Sequence, residues 1–320
     1  MIASMKPPYE VNSTILKFIT SISEKIGEVN ANYLDKQSPT LRKQNKIKTI
    51  HSSLQIEGNT LSEDQITALL ENKRIIGPQK DVLEVLNAIK VYDSLEGFKS
   101  VSEKSFLNAH KILMSGLVPD SGKYRAKGVG IVQGSKVAHV APPAENVPFL
   151  MKDLFSYLKS DEITLIKSCV FHYEMKFIHP FLDGNGRMGR LWQTMILKEQ
   201  YPVFEFLPFE TLISKTQTEY YKVLSICDKA GNSTLFIEYM LQVINKSLEE
   251  LLNFKNRIFS QLDRIEYFIK FSSDKFSRKD YMNVFKDISS ATATRDLRKA
   301  EDLKLIAREG QQNRTIYKIL

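Results

Sequence analysis

A 3.6-residue spacing of apolar side chains runs through nearly all of this 320-residue chain and lapses in two places. Asn12 to Tyr33 carries Ile15, Ile19, Ile22, Ile26 and Val29; Leu41 to Glu57 carries Ile47, Ile50 and Leu54. Ser62-Glu-Asp-Gln65 reads as a capping box ahead of Ile66, Leu69 and Leu70. Further helical patterns cover residues 82–95, 103–114, 147–158, 163–178, 187–200, 215–227 and 235–252. The spacing therefore predicts a mostly α fold. Length suits two or three domains, and 42% hydrophobic against 26% charged residues is a globular composition rather than a disordered one. No apolar run reaches the length of a membrane span, and the first eight residues lack the apolar core of a signal peptide. Cys169 and Cys227 sit in helical patterns and read as two reduced thiols. A cytoplasmic protein without membrane partners is the expectation.

The first lapse is Tyr124–Val140, rich in Gly, Val and Ile, where Gly134-Ser135 between two short runs predicts a β-hairpin. A lone hairpin in a helical body has no sheet to join; it is either decoration or a binding flap, since an open strand edge can accept an extended peptide. The second lapse follows Phe271: two short helices, 278–285 and 290–302, precede the strand-like runs Leu305–Arg308 and Thr315–Ile319. From Ser277 onward ten Lys and Arg stand against six Asp and Glu, a net +4, half of the chain's +8. That excess marks either a separate basic module, suited to nucleic acid, or an ordinary solvated basic face.

Chemistry concentrates in His179-Pro-Phe-Leu-Asp-Gly-Asn-Gly-Arg-Met-Gly-Arg190. Pro180 biases His179 away from the helical region, so a helix ends there. Asp183-Gly-Asn-Gly186 reads as a tight loop feeding a new helix near Arg187, and backbone amides at such a junction bind anions. Arg187 and Arg190 share one face of the first turn and suit a polyphosphate. Asp183 is a hard oxygen ligand of the kind Mg²⁺ shares with phosphates, and His179 is a base with a near-neutral ordinary pKa. Gly184, Gly186 and Gly189 also match the dinucleotide fingerprint. That fingerprint needs a preceding strand, whereas a helix precedes it here.

The segment resembles the signature of the Fic family, with every defined position matched, and the resemblance extends over roughly residues 7 to 250 through the helical body and hairpin. It implies a protein adenylyltransferase that moves AMP from ATP, with Mg²⁺, onto a Ser, Thr or Tyr hydroxyl of a protein, itself included. His179 would take the hydroxyl proton and Asp183 would hold the metal. Gly184, Asn185, Gly186, Arg187, Gly189 and Arg190 would bind the phosphates. The hairpin, with Ile131 and Val132, would be the family's flap, and Tyr220 and Tyr221 its nucleoside contact. Family members are often restrained by Ser/Thr-x-x-x-Glu-Gly/Asn, and Ser53-Leu-Gln-Ile-Glu57-Gly58 matches. Glu57 continues the stripe Ile47, Ile50, Leu54, so its carboxylate needs a buried partner; the resemblance points to Arg190. An inhibitory helix is thus expected over 41–58, ended by Gly58 as a left-handed cap. Domains are expected at 1–95, 96–255 and 256–320.

The C-terminal segment resembles a winged-helix module. Arg295, Arg298 and Lys299 share a helical face, Ser290 is placed to cap that helix, and Arg308 and Arg314 flank the wing. DNA and protein docking through 271–320 both remain open, as does self-association. Two alternatives stand beside AMP transfer. One is removal of AMP in the same pocket with Glu57 positioning water; the other is a DNA-binding regulator that only senses nucleotide.

Overall fold

The computed structural model describes residues 7–33, 39–133, 136–256, 261–272, 274–285, 288–310 and 315–320, which leaves Gly134, Ser135 and Arg314 outside the described residues. The chain divides into two compact units, residues 1–34 with 46–250 and residues 35–45 with 251–320.

The helices run in chain order as α1 (Ser13–Tyr33), α2 (Pro39–Ile56), α3 (Glu63–Leu70), α4 (Gln79–Asp93) and α5 (Glu103–Leu113). After strands β1 (Gly130–Gln133) and β2 (Lys136–Val140) come α6 (Val147–Tyr157), α7 (Thr164–Ile178), α8 (Asn185–Gln200), α9 (Glu210–Lys215), α10 (Gln217–Ala230) and α11 (Thr234–Asn256). The expected helix over 215–227 is α10, set off from the short α9 at Thr216, whose hydroxyl meets Leu212 O and the Tyr239 hydroxyl. The Ser62 capping box forms as expected, with Gln65 N donating to Ser62 Oγ. The hairpin is shorter than its sequence segment: only 130–133 and 136–140 pair, antiparallel, with a bulge between Ile131 and Val132. These two strands form a sheet of their own.

The first unit is organised around α8, buried on every side from Asn185 to Leu197 and packed most extensively on α7. Phe106 of α5 sits 5.0 Å from Trp192, 5.4 Å from Phe181 and 5.9 Å from Phe171 between ring centres. Trp192 donates its indole N–H to Ser100 O at 2.9 Å, so the cluster buries no unpaired indole. Phe181 belongs to the signature loop, and its burial in this cluster pins that loop to the core.

The second unit holds α12 (Gln261–Phe271), β3 (Lys275–Phe276), α13 (Arg278–Val284), α14 (Ser290–Asp302), β4 (Ile306–Glu309) and β5 (Ile316–Ile319), with sheet order β3-β5-β4, antiparallel throughout. The two helices and the strand pair match the sequence reading; α12 and β3 do not appear in it. A two-residue strand carries no period to read, and β3 exists because β5 pairs Lys275 with Lys318 and Phe276 with Tyr317. Phe268, Phe276, Tyr281, Leu297 and Tyr317 fill this unit's own core. Within it Arg264 forks onto Asp296 at 2.6 and 2.9 Å, and the Tyr281 hydroxyl donates to the same carboxylate at 3.0 Å. The cap of α14 is Ser289, not Ser290: its Oγ accepts from Thr292 N at 3.1 Å.

Candidate functional site: an anion loop closed by a glutamate

Helix α7 ends at Ile178, and His179 follows in the left-handed region at φ 49°, ψ 59°. That conformation costs a non-glycine residue roughly 1–3 kcal/mol and persists only where its surroundings hold it. Gly184, at φ 85°, is the other left-handed residue of the loop; a Cβ there would meet Met114 Sδ at 2.7 Å. Helix α8 begins at Asn185, two residues earlier than expected, so Asn185 and Gly186 lie in its first turn. The Asn185 side chain closes the loop on itself: Phe181 N donates to Oδ1 and Nδ2 donates to Phe181 O, both at 2.9 Å. Only the backbone of Asn185 is left for an anion. His110 supports the loop from α5, stacking on Phe181 with ring centres 3.5 Å apart. It accepts from Gly122 N at 2.8 Å through Nδ1 and lies 3.0 Å from Asp183 O through Nε2, so it reads as the Nε2–H tautomer.

Arg190 is wholly buried and does meet Glu57. Its Nη2 donates to Glu57 Oε1 at 2.8 Å and to Ser53 O at 2.8 Å, and its Nε donates to Ser53 Oγ at 3.0 Å. Gly58, at φ 90°, ends α2; Asn59 N donates to Leu54 O and Gly58 N to Gln55 O, the expected left-handed cap. Burial alone would push the Glu57 carboxyl up, but Arg190, Lys176 and Arg187 together hold it down to about 2. Burial acts against the Arg190 charge as well, and Glu57 outweighs it. The glutamate also lies against the loop, since a Cβ on Gly186 would collide with its carboxylate. Arg190 Nη1 is buried beside the same glycine and makes no hydrogen bond among the described residues.

The remaining sequence candidates are placed less simply. Arg187 is committed through two of its nitrogens: Nη1 donates to Glu84 Oε1 at 3.0 Å and Nη2 to Asp183 Oδ1 at 2.9 Å, while its Nε is buried with no hydrogen bond among the described residues. Glu84 in turn accepts from Asn59 Nδ2 at 2.9 Å, linking the end of α2 to the loop. Gly189 faces α7 rather than the loop; a Cβ would sit 2.8 Å from His172 Cδ2, so this glycine serves helix packing. Tyr220 is a core residue, fully buried with its hydroxyl 3.0 Å from His172 Nε2, and only Tyr221 lines a surface depression, with Gln217, Lys222, Ser225 and Lys229. The backbones of Ile131 and Val132 pair with His139 and Val137 in the β1–β2 ladder. Asp183 keeps half its side chain exposed, and no cluster of three or more His, Cys, Asp or Glu able to hold a metal exists among the described residues. A single open carboxylate fits a cation that takes its other ligands from substrate phosphates.

Glu84 and His110 escaped the sequence reading, although each carried a signal. Glu84 lies on the stripe Val85, Ala88, Val91, and His110 lies beside Phe106, Ala109 and Leu113. A polar residue on an apolar stripe had already singled out Glu57. Burial, the main cause, lowers His110 to about 4 and His172 to about 3. Both are neutral in the fold and must be protonated on unfolding in acid. Their stabilisation is complete above the ordinary histidine pKa of 6.5 and is lost as pH falls from there toward 4. Each should remove roughly 1.4 kcal/mol per pH unit over that window. Burial raises the Glu174 and Glu210 carboxyls to about 7 and about 8, which acts with the opposite sign over the same window, so the readout is a difference: in urea unfolding, wild type should lose roughly 1.4 kcal/mol per pH unit relative to His110→Gln between pH 6.5 and 4.5.

Fold and loop together define a class: a helical body whose central helix opens on a glycine turn beside a left-handed histidine. A model of the Fic/DOC family matches residues 100–197. A Fic family protein from Desulfovibrio desulfuricans G20, of known crystal structure, is 37% identical, covers 99% of this chain and 98% of its own, and superimposes with a TM-score of 0.76. The chain belongs to the Fic family. Fic-1 from C. elegans shares the fold at 22% identity and TM-score 0.63, over 76% of this chain and 73% of its own. Among curated relatives, Protein adenylyltransferase Fic of Drosophila erecta is 27% identical over 62% of this chain and 40% of its own length. Its namesake in Drosophila grimshawi is 26% identical over 72% and 48%. This chain therefore spans less than half the length of those curated relatives.

Proposed function

We propose that the protein transfers AMP from ATP to a hydroxyl of a protein and that Glu57 holds this activity down. One observation carries the reading: a carboxylate already sits in the anion site, against Gly186 and paired with Arg190, where the terminal phosphate of a nucleotide would be held. The unpartnered Nη1 of Arg190 is a donor waiting for an oxygen at that place. The name borne by the Drosophila relatives supports AMP as the group moved.

In this reading the amides opening α8 and the Arg190 guanidinium hold the phosphates, and Asp183 would hold Mg²⁺ together with phosphate oxygens. The cation's contribution would be to neutralise charge on the leaving pyrophosphate. His179 takes the proton from the target hydroxyl, whose oxygen forms a new bond to the α-phosphorus as the bond from that phosphorus to the bridging oxygen breaks. Pyrophosphate leaves, so the reaction balances with ATP alone. Arg187 belongs to the scaffold, anchored by Glu84 and donating directly to Asp183. Tyr221, which lines a surface depression, would meet the nucleoside in place of the buried Tyr220. Incubation with ATP labelled at the α- or the γ-phosphate tests the reaction: protein should gain α-label and no γ-label. Loss of AMP from a pre-modified target, with no gain, would establish the reverse reaction instead.

The described residues contain no helix long and apolar enough to cross a membrane, and both cysteines are buried and unbridged, which supports a reducing compartment such as the cytoplasm. For the second unit the favoured reading is a winged-helix DNA contact. Arg295, Arg298 and Lys299 are exposed on α14, and Arg278 reaches across to Thr294 Oγ1 at 3.2 Å, adding a fourth cation beside that face. Duplex affinity should fall steeply with salt, and Arg295→Ala with Arg298→Ala should flatten the logarithmic slope by about 2, near 0.9 per lost phosphate contact. Fluorescence anisotropy across a salt series checks this; no binding at low salt would assign the unit to protein docking.

A further inference from the structure

The stretch before the hairpin contains a buried arginine whose side-chain hydrogen bonds go to backbone carbonyls. Arg125 is 3% exposed. Its Nε donates to His179 O at 2.7 Å, Nη1 to Lys127 O at 2.9 Å, and Nη2 to Pro142 O at 2.5 Å and Ile178 O at 3.2 Å. Its own backbone N–H donates to Pro180 O at 2.9 Å. These acceptors belong to two places. Ile178, His179 and Pro180 form the left-handed turn that presents His179. Lys127 and Pro142 flank the β1–β2 pair, three residues before Gly130 and two after Val140.

We infer that Arg125 is a positioning residue that makes the base of the β1–β2 hairpin and the His179 turn one mechanical unit. Three properties of guanidinium suit it to the task. Its planar fork delivers four bonds in fixed directions, which a lysine ammonium with three rotating donors cannot reproduce. Its charge lies at the C-terminal end of α7, where Ile178 O and His179 O are left without helical donors and the helix dipole is negative. Its bonds to the carbonyls of Ile178, His179 and, through its own backbone N–H, Pro180 hold His179 in a backbone region that an ordinary residue leaves when unrestrained. A target segment laid along the hairpin would thereby be fixed relative to His179, so that binding the peptide also sets the distance from hydroxyl to base.

The inference rests on His179 acting as the base, and its test separates the two. In the Glu57→Gly background, Arg125→Lys should lower turnover on the order of a hundredfold, the effect of misplacing a reacting group by about 1 Å, with ATP affinity changed less than about threefold. Hydrogen exchange provides a readout independent of activity: amides of 130–133 with 136–140 and those of 178–184 should gain exchange together in Arg125→Lys. In the wild-type protein the same two segments, with the Arg125 amide, should open with a common free energy. This arm needs no variant to fold. A lowered melting temperature with turnover intact, or opening of one segment without the other, would reduce Arg125 to a helix cap and overturn the inference. Should Glu57→Gly show no AMP transfer at all, the functional reading fails while the exchange result still decides the clamp.

Discussion

Replacing Glu57 with glycine is expected to raise self-AMPylation by on the order of a hundredfold or more. In the resting protein Arg190 is committed: Nη2 to Glu57 Oε1 and Ser53 O, Nε to Ser53 Oγ. The glutamate carboxylate also fills the space over Gly186. A triphosphate entering this site meets a negative charge where its terminal phosphate belongs and an arginine already neutralised. It must settle with its α-phosphate out of line, and in-line positioning is most of what nucleotidyl transfer asks of a protein. Acid should not release the restraint. The carboxyl is held down to about 2, so the ion pair is intact from neutral pH down well past pH 5 and weakens only as pH approaches that value.

The same change strands a buried guanidinium, which costs about 3–5 kcal/mol in comparable buried pairs. ATP should relieve that loss, so the rise in Tm on adding ATP should be larger in Glu57→Gly than in wild type. Ser53→Ala should release the restraint only in part, because it removes one acceptor and leaves the carboxylate. The double variant Glu57→Gly, Arg190→Ala should lose the gain. Incorporation of α-labelled ATP into the four proteins measures all of this. Equal labelling of Glu57→Gly and wild type would leave the glutamate as a structural partner of Arg190 and nothing more.

The second large effect is expected at His179. In the Glu57→Gly background, removing the imidazole should lower transfer by roughly 10²–10⁴, the usual contribution of a positioned general base. ATP binding should survive, since amides and Arg190 hold the phosphates. The choice of replacement matters because His179 is left-handed, at φ 49°. Asparagine tolerates that region better than alanine, so His179→Asn keeps the turn while removing the base. Calorimetry for ATP alongside labelling for transfer separates the two roles. Retained transfer in His179→Asn would assign proton removal to another group.

Most of the helical fold was open to reading in the chain itself, because apolar side chains recurring every three or four residues commit a segment whatever surrounds it. The hairpin, the capping box at Ser62 and the left-handed cap at Gly58 were legible for the same reason: their conformations depend on residues within five positions. The candidate anion loop could be picked out because its residues are packed into twelve consecutive positions. Glu57 could be marked as a carboxylate on an apolar stripe, and its partner Arg190, 133 positions away, was named only through family likeness. Tertiary structure alone decided the rest. It placed Tyr220 in the core against His172, turned Gly189 toward α7, and occupied Arg187 with Glu84 and Asp183. It also set Arg125 under the histidine turn. A local pattern tells which side of a helix is buried. Which side chain waits on the far wall depends on how distant segments pack, and that determines whether an arginine meets a carboxylate, a carbonyl or an open site.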